Sequence, residues 1–250
     1  MSQTGKVGDG SIQNLALNVK GLYRSFGRTR ILNGLDLEVP WGEVLTVLGP
    51  NGSGKTSLIN ILATLARPDS GMVRVAGLDV VRKGNKVRRM IGVVTHETGL
   101  YNALTGQENL KLTARMFGMD RIDERISGAM DRLGISARAN QRVDTLSHGL
   151  RKRFAIARAL LNDPPVLLMD EPESGLDQEA LGLLEDVVKD KALPFRSVIA
   201  TTHNFDRALD LSQRVAILYQ GRIVYQNSFK AADRTMLKEA YFEYTGVESS

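Results

Sequence analysis

The residues best suited to chemistry form a glycine-rich stretch, GPNGSGKT, at positions 49–56. It follows the apolar run VLTVL, which predicts a buried strand, and the pattern predicts that a helix opens at Ser57. Glycines let consecutive amides turn inward, so nucleotide phosphates can lie against the helix N-terminus. Lys55 offers a charge to the β- and γ-phosphates, and the Thr56 hydroxyl offers an oxygen ligand for Mg²⁺. The predicted nucleotide-binding residues of this loop are Gly49, Pro50, Asn51, Gly52, Ser53, Gly54, Lys55, Thr56 and Ser57.

Two adjacent acids, Asp170 and Glu171, follow a second apolar run at positions 166–169. In an open α/β sheet, ligands bind at the carboxyl ends of the strands. Asp170 is therefore predicted to hold Mg²⁺, and Glu171 to polarise the water that attacks the γ-phosphate. His203 follows a third apolar run at the same predicted edge, where its ring can hydrogen-bond the γ-phosphate.

A further anion-binding arrangement lies between these motifs, in LSHGLRKR at positions 146–153. Ser147 and Gly149 place a hydroxyl and an open amide at the start of a predicted helix. A second phosphate-type site in so small a domain is expected to serve a different nucleotide. In this order, the motifs resemble those of ATP-binding cassette (ABC) ATPases, with this segment as the signature motif. The resemblance extends from Asn14 to about Gln226.

The resemblance implies an α/β fold: a P-loop NTPase (RecA-like) core with an N-terminal antiparallel β subdomain and an inserted α-helical subdomain. It also implies two cassettes packed head-to-tail, expected to be identical, although a related second cassette is left open. Each ATP, with Mg²⁺, would lie between the phosphate loop of one cassette and Ser147, His148 and Gly149 of the other. Asp177 would be the D-loop acid, which on its own indicates only a helix cap. His203 would be the switch histidine.

One aromatic residue near the N-terminus is also implicated by the resemblance. Phe26, in LYRSFG at positions 22–27, is similar to the aromatic side chain that stacks on adenine. Tyr23 is the second candidate for that role. For both, burial in the core is the competing interpretation.

The chain departs from the family pattern at two places. His148 and Leu150 replace a glycine and a glutamine of the usual LSGGQ signature, and His96 stands where most relatives have the Q-loop glutamine. THETGLY at positions 95–101 resembles the ATP-binding subunit of haem exporters in cytochrome c biogenesis. The sequence therefore predicts haem export as the function, with His96 among the catalytic residues. The alternatives are another small exporter, of drugs, lipids or polysaccharides, or a soluble ABC ATPase of cluster assembly.

The elements that position these residues are visible as two kinds of periodicity. Apolar residues alternate, or form short runs, at positions 15–19, 35–39, 44–48, 73–75, 166–169, 197–200 and 215–218, which predicts strands. Between positions 105 and 162 they recur at helical spacing, first at Leu110, Ala114 and Phe117, which predicts helices. The predicted organisation is a flexible tail at 1–13, an ATPase domain at 14–228 with a helical subdomain at about 100–162, and a C-terminal helix at 229–250.

Composition limits the functional classes further. The 250 residues are 42% hydrophobic and 24% charged, with a net charge of +5, as in an ordinary soluble domain. The absence of cysteine excludes disulfides, zinc–thiolate sites and thiol catalysis. The basic clusters are small and lack interleaved aromatics, so no nucleic-acid partner is expected. No apolar run reaches the ~20 residues of a membrane span. We therefore expect a peripheral protein on the cytoplasmic face of the inner (cell) membrane that drives a separate membrane-spanning subunit.

Overall fold

The structure, a computed structural model, describes residues 15–190, 192–228 and 234–246. The strands are β1 Leu15–Phe26, β2 Thr29–Pro40, β3 Val44–Leu48, β4 Ser70–Val75, β5 Leu78–Asp79, β6 Ile91–Val94, β7 Val166–Asp170, β8 Ser197–Thr202, β9 Arg214–Tyr219 and β10 Arg222–Ser228. The helices are α1 Lys55–Leu62, α2 Gly84–Arg88, α3 Gly106–Met116, α4 Ile122–Arg132, α5 His148–Leu160, α6 Gln178–Val188, α7 Phe205–Leu211 and α8 Arg234–Thr245.

A six-stranded sheet with the order β10-β9-β3-β8-β7-β6 forms the centre of the fold. Only β10 runs antiparallel to its neighbour; the other pairs are parallel. Every residue of β3 and β7 is buried, as expected where helices cover both faces. Leu48 lies opposite Thr202, and Asp170 lies opposite Thr201. The carboxyl ends of β3, β7 and β8 therefore meet at one edge of the sheet.

A second, antiparallel sheet has the order β2-β1-β4-β5, which confirms the predicted N-terminal antiparallel subdomain. In β2, Leu35, Leu37 and Val39 are buried, whereas Asp36 and Glu38 between them are exposed. The buried face shares one hydrophobic core with the apolar side of α1 and with β3. This shared core joins the antiparallel sheet to the element that begins at the phosphate loop.

Helices α3, α4 and α5 lie within the predicted helical region, with two short 3₁₀ turns at Ser136–Arg138 and Val143–Thr145. Helix α3 begins with a capping box in which Thr105 and Glu108 exchange hydrogen bonds. It ends at Met116, so Phe117, predicted to continue its apolar stripe, is the C-cap and is 41% exposed. Helix α5 also packs against β6, which ties this region to the large sheet.

The C-terminal helix α8 buries Leu237, Ala240 and Tyr241 in a third cluster with residues of α7 and β9. The prediction placed this helix at 229–250. Residues 229–233 and 247–250, like the predicted tail at 1–13, lie outside the described part of the chain. Within that part, none of the helices combines the length and the apolar character needed to cross a bilayer.

Candidate nucleotide site

The loop at positions 49–54 joins β3 to α1, and the helix begins at Lys55 rather than at Ser57 as predicted. The reason is Gly54, which has a left-handed φ of 111° and serves as the N-cap. Lys55 and Thr56 therefore belong to the first helical turn, where backbone N–H groups have no partner within the helix. A helix N-terminus of this kind favours an anion.

The hairpin between β9 and β10 contacts the phosphate loop through its backbone. The N–H of Gly221 donates to the Ser53 carbonyl (3.1 Å), and the Gly221 carbonyl accepts from the N–H of Asn33 (2.9 Å). Asn33 lies in β2, opposite Tyr23 of β1. One glycine thus connects the phosphate loop to the antiparallel sheet.

Lys55 turns back over its own loop. Its Nζ donates to the carbonyls of Gly49 (2.8 Å) and Pro50 (3.1 Å) and lies 3.6 Å from the Oε1 atom of Glu171. Burial lowers the pKa of this lysine, and the charges of Glu171 and Asp170 oppose that shift. The ammonium is therefore a buried donor at the centre of the predicted phosphate site.

Asp170 is 1% exposed and is held from two sides. Its Oδ2 atom accepts from the Thr56 hydroxyl (2.8 Å), and its Oδ1 atom accepts from the Thr201 hydroxyl (2.6 Å). The Ser53 hydroxyl, inside the loop, is buried and has no hydrogen-bond partner. These oxygens fit the preference of Mg²⁺ for one or two protein ligands combined with substrate phosphates. Among the described residues, no group of three or more His, Cys, Asp or Glu side chains could hold a metal on its own.

Glu171 follows the end of β7 with a positive φ of 45°. Its N–H donates to the Thr201 carbonyl (3.1 Å), and its Oε1 atom lies 3.1 Å from Nδ1 of His203. Burial acts to raise the pKa of the Glu171 carboxyl, but the His203 hydrogen bond and the charges of His203 and Lys55 outweigh it and lower that pKa. Glu171 is therefore ionised at neutral pH, as a general base must be.

His96 lies in the loop after β6, and its side chain is exposed. Val94 of β6 pairs with Met169 of β7, so the loop that carries His96 leaves the sheet at the same edge as Asp170 and Glu171. A part for His96 in hydrolysis stays a prediction.

The residues at 147–149 lie at the start of α5 and not among the carboxylates. Ser147 is the exposed N-cap of α5, and its Oγ atom accepts from the N–H of Leu150 (3.3 Å). The His148 ring packs on Gly175, whose φ of 75° suits glycine and where an added Cβ would overlap that ring. Ser147 and His148 therefore face solvent in the single chain, and Gly149 is half-buried.

Asp177 is the N-cap of α6, which confirms the simpler interpretation of that acid. Its Oδ1 atom accepts from the N–H of Ala180 (2.9 Å) and from Nη2 of Arg153 (2.9 Å). The Ala180 hydrogen bond and the Arg153 charge lower its pKa. Arg153 belongs to α5, so this contact joins the signature helix to the segment after β7.

The two aromatic candidates differ in exposure. Phe26 is 81% exposed at the end of β1, which excludes a core role for it. Tyr23 is 37% exposed, and the guanidinium of Arg30 lies 5.6 Å from the centre of its ring. Phe26 is therefore the aromatic with a free face.

Two charged residues near the site were not predicted, Lys152 and Glu173. Lys152 is fully buried in α5, and its Nζ donates to the Thr95 carbonyl (3.3 Å). Glu173 accepts from the Thr202 hydroxyl through Oε1, and burial raises its pKa. A lysine two residues before the buried run FAIA at 154–157 was the available signal for Lys152, because a cation on the apolar face of a helix needs a partner.

These features together are typical of an α/β ATPase. They are a phosphate loop that precedes a helix, carboxylates at the edge of a parallel sheet, and an antiparallel subdomain. The profile of the family described as "ABC transporter" matches residues 32–174. The daunorubicin/doxorubicin resistance ATP-binding protein DrrA of Streptomyces peucetius is 37% identical over 85% of this chain and 65% of its own length. The chain thus spans about two-thirds of that relative.

Two further comparisons point to the same family. The Nod factor export ATP-binding protein I of Rhizobium sp. (strain N33) is 35% identical over 87% of this chain and 72% of its own. A dimeric ATP-binding cassette in a post-hydrolysis state, bound to ADP and Pi, superposes with a TM-score of 0.76 at 26% identity, covering 86% of this chain and 99% of that one. The chain belongs to the ABC transporter family and has the fold of an ATP-binding cassette.

Proposed function

We propose that this chain powers a small exporter, of drugs, lipids or polysaccharides, from the cytoplasmic face of the cell membrane. The support is the similarity to relatives named for drug resistance and for Nod factor export. The sequence predicted haem export first and such an exporter as the alternative. The relatives favour the alternative, because the haem prediction depends on one short loop around His96.

Cells that lack the chain provide the test. We expect them to retain a fluorescent anthracycline longer than cells complemented with the intact gene, while covalent haem in c-type cytochromes stays unchanged. Loss of covalent haem with normal anthracycline efflux would reverse the assignment. Complementation with Lys55→Ala is the control, since it removes the buried ammonium at the phosphate site.

An apolar groove supports a membrane-spanning partner. It has a volume of about 190 Å³, and Leu65, Val93, Phe117 and Met119 are among the residues that line it. Leu65 is 63% exposed and Phe117 is 41% exposed, so apolar surface is available between α1 and α3. Val93 lies in β6, the strand that leads directly to the His96 loop. A membrane subunit bound in this groove would contact the strand next to the ATP site.

Co-purification tests that contact. A tagged Phe117→Asp chain should lose its membrane subunit while still binding ATP. Phe195→Asp is the matched control, because Phe195 is 78% exposed and does not line the groove. Equal recovery of the subunit with both variants would contradict docking at this groove.

The groups at the sheet edge suggest how the chain hydrolyses ATP. Lys55 and the loop amides hold the β- and γ-phosphates. Thr56 and Asp170 would hold Mg²⁺, which would neutralise charge that develops on the phosphates. Glu171 takes a proton from the attacking water. His203 orients Glu171 through their hydrogen bond and contacts the γ-phosphate, and His96 contacts the same water.

The exposed segment at 147–149 completes the ATP site of a second cassette. Ser147, His148 and Gly149 offer a hydroxyl, an imidazole and an open amide at a helix N-terminus. We expect two copies of this chain to pair head-to-tail around two ATP molecules. Phe26 stacks on the adenine of the ATP that its own phosphate loop holds.

A further inference from the structure

A cleft of about 460 Å³ lies where the chain leaves α1 and where it enters α2. None of the residues that line it belongs to the phosphate loop, to the carboxylate end of β7 or to residues 147–149. The described residues that line this basic cleft include no acid and five cations: Arg67, Arg82, Lys83, Lys86 and Arg88. The remaining lining side chains are small, apolar or neutral, so the cleft has charge of one sign only.

The five cations of the basic cleft are not neutralised by the chain itself. All five residues are exposed, and in the part of the chain that the structure describes none of them forms an ion pair. The preceding acid, Asp79, is used by the turn, because its Oδ1 atom accepts from the N–H groups of Val81 (2.9 Å) and Arg82 (2.8 Å). The net charge of the whole chain is +5, so the excess positive charge equals the charge gathered in this cleft.

Arg88 is held in place by uncharged partners. Its Nη1 atom donates to the Thr64 hydroxyl (2.8 Å), and its Nη2 atom donates to Oδ1 of Asn85. A guanidinium has five N–H donors, so these contacts orient the group and leave donors for a ligand. Because neither partner carries a charge, the full positive charge of Arg88 stays available. A planar guanidinium of this kind fits the oxygens of a phosphate group.

The basic cleft adjoins the apolar groove that we propose as the contact for a membrane subunit. Arg88 lines both the cleft and the groove. Leu65 of the groove and Val81 of the cleft are exposed, so apolar side chains lie beside the cations. Exposed cations next to a membrane-spanning segment attract anionic lipids, and each one contributes about fivefold to binding.

We propose that the basic cleft binds phosphate-bearing anions, and that their source is the headgroups of anionic lipids at the membrane surface. The preference for phosphate follows from the charge and geometry of the cleft alone. The choice of lipid as the source rests on the proposed function, because it depends on a membrane subunit bound in the neighbouring groove. The chain would then contact both the subunit and the lipids that surround it.

Vesicle sedimentation with the full chain tests the proposal. We expect binding to vesicles of phosphatidylcholine mixed with phosphatidylglycerol to be at least about tenfold tighter than to phosphatidylcholine alone, and to weaken as salt rises. The cleft variant removes three cations that do not line the groove: Arg67→Gln, Arg82→Gln and Lys86→Gln. The matched control removes three exposed cations elsewhere: Arg115→Gln, Arg138→Gln and Lys238→Gln.

The cleft variant should bind the mixed vesicles at least about tenfold more weakly, whereas the control should lose less than about threefold. ATP turnover of both variants should stay within about twofold of the unaltered chain, because the substitutions lie on the surface. Equal losses of vesicle binding in the two variants would overturn the proposal, since net charge alone would then explain the binding.

Titration with glycerol 3-phosphate separates lipid from soluble phosphate compounds. We expect it to bind at least about tenfold more weakly than the mixed vesicles, because a single phosphate group engages fewer cations than a lipid surface. Binding of glycerol 3-phosphate that the cleft variant loses, without binding to the mixed vesicles, would overturn the lipid source.

Co-purification of the membrane subunit distinguishes this proposal from the proposed function. The cleft variant should retain the subunit, because the groove around Phe117 is unchanged. Loss of the subunit in the cleft variant, with no vesicle binding by the unaltered chain, would overturn the lipid proposal in favour of an acidic protein segment. Failure of Phe117→Asp to release the subunit would contradict only the groove, since vesicle binding is measured without the subunit.

Discussion

The carboxylate end of β7 and the start of α5 are both proposed to contact nucleotide phosphates, yet their side chains differ in burial and in hydrogen bonding. Asp170 is buried and bonded to Thr56 and Thr201, and Glu171 is held by His203 and Lys55. Ser147, in contrast, is exposed, and its hydroxyl only caps its own helix. One region is complete within the chain, whereas the other offers its groups outward. This difference is what a head-to-tail pair of cassettes requires.

The largest effect on ATP turnover is expected from a substitution of Glu171. Glu171→Gln should lower ATP turnover at least about 100-fold, because the amide cannot accept the water's proton. ATP binding should persist, since Lys55 and the loop amides are unchanged. Phosphate release and equilibrium dialysis measure the two quantities, with the exposed Glu124→Gln as control. Turnover within a few-fold of the unaltered chain would remove Glu171 from the chemical step.

The second prediction addresses the outward-facing region. Ser147→Arg places bulk and charge at the start of α5, so ATP-dependent dimerisation should be lost while the single chain binds ATP normally. Size-exclusion chromatography with Mg²⁺ and ATP, in the Glu171→Gln background, measures the dimer. Ser136→Arg, at another exposed serine of the helical region, should leave it intact. Weakened ATP binding in the Ser147→Arg monomer would mean that Ser147 serves its own chain's site.

A third prediction concerns the free aromatic face. Phe26→Ala should weaken ATP binding about tenfold through the loss of stacking on the base. Tyr23→Phe keeps the ring below Arg30 and should change binding little. Isothermal titration with ATP measures both variants. A larger loss at Tyr23 than at Phe26 would exchange the two roles.

The smallest effect is expected from a substitution of His96, and it can be seen only in the dependence of ATP turnover on pH. The pKa of Glu171 is lowered, so that carboxylate stays ionised as the pH falls from 8 to 6 and does not cause a loss of activity in that window. Protonated imidazole has no lone pair for the attacking water, so histidine protonation would cause such a loss. His96→Gln should keep its activity near pH 7 and lose part of the acid-side decline. Identical profiles, normalised at pH 8, would leave His96 with a packing role.

Much of this molecule is predictable because its signals are local. The apolar runs at β3, β7 and β8 and the GPNGSGKT loop determine both the sheet edge and the residues on it. The start of α1 was predicted two residues too late. The loop has three glycines among its eight residues, and the sequence does not show which of them adopts the left-handed conformation that precedes the helix; in the structure Gly54 is the N-cap. Phe117 was assigned to a helix face because periodicity does not show where a helix ends.

Lys152 and Glu173 were missed for a different reason. Lys152 stands in a basic run, where only the apolar residues that follow hint at burial, and the packing of α5 against β6 is what removes it from water. Their partners, the Thr95 carbonyl and the Thr202 hydroxyl, are 57 and 29 residues away in the chain. The periodicity of helices and strands relates residues a few positions apart, so it does not predict contacts over such separations.

The Gly221 bridge has a consequence for which molecules the site admits. Its two backbone hydrogen bonds join the phosphate loop to β2, and β2 pairs with β1, the strand that ends at Phe26. The proposed base contact and the proposed phosphate contact are therefore tied together through backbone. Molecules that reach only one of them, such as free triphosphate, should bind about tenfold more weakly than ATP, the same loss expected of Phe26→Ala.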